Sequence, residues 1–248
     1  MNDIERWRLP RFFSNDIDES EIAVNDEDSK HITSVLRMRA GEKAVICDGN
    51  GTDYLCELIS AGQRENARFN IIESRQNAAE PDVEVTLYQA MPKSDKLEFI
   101  VQKATELGAA RIVPFLSKRC VSRPDDKSAA KKLVRLQRIA YEAAKQCGRG
   151  KIPDVLPMTD FKSAVTGIAD DETAIMFYEC GGEKFNALTF PKKKIAVFIG
   201  SEGGFEPEEA QLAEEHGVTL VSLGERILRC ETAPVTALSL LMNVTGNL

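Results

Sequence analysis

The sequence predicts an α/β protein in two parts: a small β-rich N-terminal domain, then a larger domain built on a parallel sheet. Three observations carry this expectation. Residues up to about 75 hold short strand patterns around an Asn-Gly turn, and from residue 83 onward strands alternate with helices. Several of the later strands are uninterrupted apolar runs, as expected of strands covered on both faces.

In the first part, Arg6, Arg8 and Arg11 are interleaved with Trp7, Phe12 and Phe13, a basic and aromatic mixture suited to phosphates and bases. A short helix is expected from Asp28 to Arg37. KAVICD and TDYLCELI then flank Gly49-Asn50-Gly51 as a hairpin, and ARFNIIES supplies another strand. The polar stretch Arg75 to Pro81 reads as a linker, placing the domains at 1–75 and 83–248 with 76–82 between them.

In the second part, VEVTLYQA alternates apolar and polar residues. A helix follows, with Asp95 and Glu98 spaced as a capping box, Leu97, Ile100, Val101, Ala104 and Leu107 on one face, and Gly108 as its stop. RIVPFL is a strand, and a long helix runs from about Asp126 to Cys147, ended by Gly148. TAIMFY and KIAVFIG are buried parallel strands. Pro207 opens a helix at its first turn, VTLVSL is a strand, and Thr232 begins the last helix.

Composition removes several classes. The 248 residues are 43% hydrophobic and 29% charged, too apolar for a disordered chain. No run approaches the ~20 apolar residues of a membrane span, and no secretory signal is visible, so no membrane association and a cytoplasmic location are expected. The cysteines at 47, 56, 120, 147, 180 and 230 form no C-x-x-C pair, and only His31 and His216 could join them, so no metal site is expected. His31 reads as a polar residue of the small domain, and His216 as a helix-terminal or solvated side chain.

The net charge of −7 hides a segregation. Between Lys118 and Lys151 eleven Lys or Arg face three acids, a local +8, whereas from Gly200 onward eight Glu face two Arg, a local −6. Such asymmetry is an interaction signal even in an acidic chain.

Ligands of parallel sheets bind beyond the carboxyl ends of the strands. Three strand ends here carry unusual loops: Tyr178 to Gly182, Gly200 to Phe205, and Gly224 to Glu231. The middle loop, G-x-x-G-G, matches neither the dinucleotide fingerprint nor the P-loop. It also holds Glu202 where a phosphate cradle wants no acid, which suits a ligand bearing positive charge.

The run IGSEGGF, followed by LGERILRCETAP, resembles the knotted SPOUT class of S-adenosylmethionine-dependent RNA methyltransferases, and within it the 16S ribosomal RNA uridine-N3 methyltransferase family. KATELGAARIVPF, EAAKQCGRG and HITSVLRMRAGE, with RFF ahead of it, agree in the same order along nearly the whole chain. Two positions depart from the family pattern: Ser201 stands in place of the usual Pro, and Cys230 in place of the usual Thr.

The resemblance implies a trefoil-knotted parallel-sheet domain behind a PUA-like β-barrel. Hydrophobic periodicity alone does not predict a knot, which few proteins possess. It further implies a homodimer with 16S rRNA or the 30S subunit as partner, and methyl transfer from S-adenosylmethionine to uridine N3, with S-adenosylhomocysteine as product. Gly200, Gly203, Leu223, Gly224, Ile227, Leu228, Thr232 and Ala233 are the expected cofactor cradle, joined by Glu179, Glu202 and Arg229.

Uridine N3 carries a proton at neutral pH, so a general base is required. Glu106, Glu179 and Glu231 qualify, while Arg149 and Arg229 are candidates for stabilising charge developing on the base. Glu106 can equally pair with Lys103. RNA contacts are expected from Arg6, Arg8, Arg11, Arg37, Lys93, Lys96, Arg123 and Arg149. Two other readings stay open: a knotted methyltransferase with another target, such as a ribose 2′-hydroxyl, and a catalytically silent RNA-binding protein of the same fold.

Overall fold

The structure, a computed structural model, describes residues 7, 9–62 and 65–248. Arg6 and Arg8, named above as RNA contacts, lie outside the described residues. The chain forms two compact units: Met1–Glu80 with Ala144–Ile152, and Pro81–Ala143 with Pro153–Leu248. A boundary drawn along the sequence does not anticipate the return of Ala144–Ile152 to the first unit.

The first unit is a curled six-stranded sheet in the order β1-β4-β5-β6-β3-β2, from β1 (Arg11–Phe13), β2 (Asp16–Ile17), β3 (Glu21–Ala23), β4 (Lys43–Cys47), β5 (Thr52–Ser60) and β6 (Arg68–Gln76). β1 runs parallel to β4 and the other pairings are antiparallel. Alternation decides the faces. Ala44, Ile46 and Cys56 join Phe12, Ile22, Ile32 and Phe69 in the main core. Val45 and Leu55, cross-strand partners, bury against Trp7, whose ring is covered by the Arg75 guanidinium 3.8 Å from its centroid.

The expected 28–37 helix is split into α1 (Asp26–Lys30) and a π-helical turn, His31–Leu36, closed by Arg37 in the left-handed region at φ 52°. His31 packs edge-on to Phe12.

Residues 144–152 are held in this unit by polar contacts. Cys47 Sγ and the Gly51 amide both donate to Gly150 O, at 3.0 and 3.2 Å. Asn77 Nδ2 donates to Gly148 O at 3.0 Å, and Lys145 pairs with buried Asp28 at 2.7 Å. Glu80 takes the Arg149 guanidinium on both oxygens, at 3.1 and 2.9 Å, and the amides of Gly150 and Lys151.

The second unit is an eight-stranded, wholly parallel sheet. Its strands are β7 (Glu84–Ala90), β8 (Arg111–Leu116), β9 (Asp154–Val155), β10 (Thr159–Asp160), β11 (Glu172–Phe177), β12 (Glu183–Lys184), β13 (Lys194–Ile199) and β14 (Thr219–Ser222). The order is β10-β8-β7-β13-β11-β14-β12, with β9 on β8. The apolar runs of β11 and β13 are buried almost end to end, as their lack of alternation requires.

The helices are α2 (Lys96–Glu106), α3 (Asp126–Cys147), α4 (Phe161–Thr166), α5 (Pro207–Glu215) and α6 (Thr232–Val244). Gly108 and Gly148 end α2 and α3 with positive φ, and Pro207 opens α5. The capping box expected at Asp95 does not form: its side chain accepts no cap hydrogen bond, and Glu98 instead pairs with Arg135 at 2.7 Å. A capping box does form at Glu206 and Glu209. Among the described residues no helix is long and apolar enough to cross a membrane.

Candidate active site

β13, β11 and β14 are consecutive neighbours in a parallel sheet, so the loops leaving their C-terminal ends emerge side by side. Those are the glycine-bearing loops 200–205, 178–182 and 223–231. Between them lies a pocket of about 470 Å³, a volume suited to a small organic ligand.

Packing fixes the middle loop at its far end. Phe205 is fully buried, stacked on Phe115 and tilted against Phe161, with centroids 6.2 and 5.7 Å away. At the near end, Gln89 Nε2 from the end of β7 donates to Gly200 O at 3.2 Å. Between them Ser201 and Gly204 form a bridge, and Gly204 has φ +68°. A Cβ on Gly204 would collide with the Glu179 carboxylate, so glycine there is what lets the 178–182 loop close down. Glu179 in turn accepts from the Phe205 amide at 3.3 Å.

Two cations tie the loops together. Arg119 donates to Gly203 O at 2.8 Å, pairs with Glu206 at 2.9 Å and approaches Glu179 at 3.6 Å. Lys96, on the first turn of α2, lies 3.0 Å from Glu202 and 3.1 Å from Glu231. Burial opposes ionisation of Glu202, but its own backbone amide and Lys96 outweigh it and hold the carboxyl below the usual range. Glu231 shows the same balance, with Cys230 and Lys96 as the lowering partners. The Cys230 thiol donates to Glu231 at 3.2 Å. Burial, then Glu231, pushes this thiol up to about 12.

Of the residues expected to cradle a cofactor, Glu179, Gly200, Glu202, Gly203, Leu223, Gly224, Ile227, Leu228, Arg229 and Ala233 line this pocket. Thr232 is not among the lining residues; it opens α6, its amide donating to Arg229 O at 2.8 Å. Ile227 sits 85% exposed at the rim. Arg226 and Arg229 are also exposed there, and neither has an ion pair among the described residues.

The other candidates fall elsewhere. Glu106 does not line the pocket and is paired with Lys103 at 2.7 Å. Arg149, expected as a catalytic or RNA-contacting group, belongs to the first unit, is 3% exposed and grips Glu80, so its guanidinium holds a loop in place. Arg11 is likewise consumed by Asp53 at 2.5 and 2.8 Å. Arg123 folds back onto the carbonyls of Ser117, Lys118 and Cys120. Lys96 is engaged as described. Arg37 and Lys93 stay exposed, with no side-chain ion pair among the described residues.

Sequence reasoning passed over Gln89 and Arg119. A glutamine at the carboxyl end of an otherwise apolar parallel strand is the available signal for the first. Arg119 sits in a basic run where nothing local distinguishes it from its neighbours.

A wholly parallel α/β sheet with a glycine-loop pocket beyond its carboxyl edge, in a chain that also carries a curled β unit, is the architecture that the resemblance to SPOUT-type methyltransferases with a PUA-like domain implies. The comparisons agree. A family model described as an RNA methyltransferase domain matches residues 79–242, and one described as an RNA methyltransferase PUA domain matches residues 24–72. The ribosomal RNA small subunit methyltransferase E of Bacillus subtilis is 37% identical over 226 residues, covering 88% of each chain. The protein of that name from Mesomycoplasma hyopneumoniae is 32% identical, covering 92% of this chain and 97% of its own. The crystal structure of the Neisseria gonorrhoeae enzyme of the same name, bound to S-adenosylmethionine, superposes with a TM-score of 0.88 at 31% identity, covering 96% of this chain and 98% of that one. The chain belongs to the ribosomal RNA small subunit methyltransferase E family.

Proposed function

We propose that the protein transfers the methyl group of S-adenosylmethionine to N3 of a uridine in 16S ribosomal RNA, with the assembled small subunit as substrate, working in the cytoplasm as a homodimer. The observation that carries this reading is the three-loop pocket, in a chain that matches the family across both units.

The residues fit the cofactor on the structure's own terms. The pocket is walled by glycine backbone and by Leu223, Ile227 and Leu228, surfaces suited to an adenine. Ser201 Oγ, in the pocket wall, is buried with no hydrogen-bond partner among the described residues, and so is Gln89 Oε1 behind it, leaving polar atoms for a ligand or its water. Glu179, Glu202 and Glu225 share the lining with Arg226 and Arg229, so the pocket offers carboxylates to a positive sulfur and guanidinium groups to a ligand carboxylate. Bound there, S-adenosylmethionine supplies a methyl carried on a positive sulfur and leaves as S-adenosylhomocysteine.

The chain's task is then to hold uridine N3 in line with that methyl, and such positioning is worth roughly 7–11 kcal/mol of a barrier. Of the three carboxylates considered as base, Glu179 is the one that lines the pocket, and its closest cation, Arg119, stands 3.6 Å off. Glu179 takes the N3 proton, and the N3 electron pair forms the new bond to the methyl carbon as the carbon–sulfur bond breaks, its electron pair staying on the sulfur and cancelling the positive charge. Arg229, exposed on the same pocket, faces the charge spreading onto the uracil oxygens.

RNA is held through Arg37, Lys93 and the exposed Lys127 and Lys131 of α3. Phe99 on α2, and Leu240 and Val244 on α6, are large apolar side chains left exposed on helices that pack together, which favours a second copy of the chain as their cover.

The test is methyl transfer from labelled S-adenosylmethionine to unmodified 30S subunits and to naked 16S rRNA, with nucleoside analysis of the product. Label in 3-methyluridine, greater with 30S, is the expected result. Label in a 2′-O-methylated nucleoside would overturn the target while keeping the class, and bound cofactor with no transfer to either substrate would favour a silent RNA-binding protein.

A further inference from the structure

Lys96 is the one lysine of α2's first turn, and its ammonium sits between two loops that have no covalent reason to stay together. Glu202 belongs to the loop after β13 and Glu231 to the end of the loop after β14, 29 positions later in the chain. The ammonium is 3.0 Å from one carboxylate and 3.1 Å from the other, so those oxygens lie no more than about 6 Å apart. Two carboxylates at that distance repel unless a cation stands between them. Around the ion triplet, the Lys93 amide donates to both oxygens of Glu202 at 3.2 and 3.3 Å. Cys230 donates to Glu231 and lies 3.6 Å from the lysine nitrogen. On this side Lys96 is the cation shared by the two walls of the pocket, and the Cys230 thiol, which also hydrogen-bonds to Glu202, is the second link between them.

We propose that Lys96 is a positioning residue that clamps the 200–205 and 223–231 loops together and thereby presets the pocket for the nucleoside cofactor. This rests on the reading of the pocket as the S-adenosylmethionine site. A clamp of this kind acts on affinity more than on turnover: it removes an ordering cost from binding and touches neither the methyl carbon nor the uridine. Lys96 is therefore engaged within the protein, in place of the RNA phosphate contact that its charge alone suggests. With the clamp released, Glu202 and Glu231 push their loops apart, and Cys230, which is 5% exposed, gains access to solvent.

The experiment compares the full-length protein with Lys96→Met and Lys96→Arg. Calorimetry measures S-adenosylhomocysteine affinity, and initial rates separate kcat from the cofactor KM. The reactivity of Cys230 toward a disulfide reagent is followed without cofactor by peptide mapping, and a thermal melt checks the fold. Ala233→Phe, which fills the pocket from its wall, controls the pocket assignment. The expected result is a Kd and cofactor KM raised about tenfold or more in Lys96→Met. In that variant kcat at saturating cofactor and RNA affinity stay within about threefold, and Cys230 labels faster. Lys96→Arg, which keeps the charge, recovers most of the affinity. Unchanged cofactor affinity and unchanged Cys230 labelling in Lys96→Met would overturn the clamp, as would a loss that falls on kcat or on RNA affinity instead. Normal affinity in Ala233→Phe would overturn the pocket assignment itself, a failure distinct from that of the clamp.

Discussion

Two arginines of the first unit, Arg11 and Arg149, and two of the pocket rim, Arg226 and Arg229, look alike in the sequence and do opposite things in the structure. Arg11 and Arg149 are buried against Asp53 and Glu80, whereas Arg226 and Arg229 are exposed and have no ion pair among the described residues. A buried guanidinium that already holds a carboxylate bidentately has no capacity left for a phosphate or a reacting base. An exposed one beside a pocket has all of it. The difference teaches that a basic residue's neighbourhood, and not its charge, decides whether it is free to meet a ligand.

The sharpest way to break this comparison is to remove one member of each set. Glu80→Ala strips Arg149 of its carboxylate and leaves the amides of Gly150 and Lys151 without theirs. Breaking a buried pair of this kind should lower stability by about 3–5 kcal/mol in denaturant titration. Arg229→Ala should change stability by no more than about 0.5 kcal/mol while cutting methyl transfer by on the order of a hundredfold. A stable Glu80→Ala, or a fully active Arg229→Ala, would reverse the assignment.

Next in size is the anchor of the middle loop. Phe205→Ala empties a fully buried ring site between Phe115 and Phe161, at a cost of about 3–5 kcal/mol. Because the same ring ends the 200–205 loop, S-adenosylhomocysteine affinity should fall with it. A destabilised variant that still binds normally would separate the core from the site.

The dependence on pH sharpens the picture on the acidic side. Glu202, Glu206 and Glu231 are each held below the ordinary carboxylate range. A carboxylate depressed in the folded state contributes stability above its unfolded value, near 4.3, and loses that contribution as pH falls through the folded one. These ion pairs should therefore leave cofactor affinity flat from about pH 6 to 8, with loss only below about pH 4. A break near neutrality traced to these carboxylates would contradict the pairing. The smallest effect expected is that of Arg37→Ala: unchanged melting temperature, and a salt slope for RNA binding shallower by about one.

Much of this was legible in the sequence because it is local. Glycine at Gly108 and Gly148, proline at Pro207 and the unbroken apolar runs of β11 and β13 act within a few residues, and the strand ends that carry glycine loops are where the pocket lies. What escaped is set by partners far away in the chain. Asp95 and Glu98 have capping-box spacing, but Arg135 takes the glutamate. The return of residues 144–152 to the first unit depends on Asn77 and Glu80, some 70 positions upstream. Arg119 became visible as a loop tie only once Gly203, Glu206 and Glu179 were seen around it. The knot entered through the resemblance alone, since threading leaves no mark on hydrophobic periodicity.

The central claim is that the loops beyond β11, β13 and β14 hold the methyl donor. It is tested most directly by titrating S-adenosylhomocysteine into the wild-type protein and into Gly203→Val, with RNA affinity measured alongside. A Cβ at Gly203 already meets the Arg119 side chain at 2.9 Å, so valine must displace the residue that ties this loop to its neighbour. The account predicts binding to the wild-type protein, loss of at least about tenfold in the variant, and RNA affinity unchanged within about twofold. Equal cofactor affinity in the two proteins would contradict it and move the methyl donor to another part of the molecule.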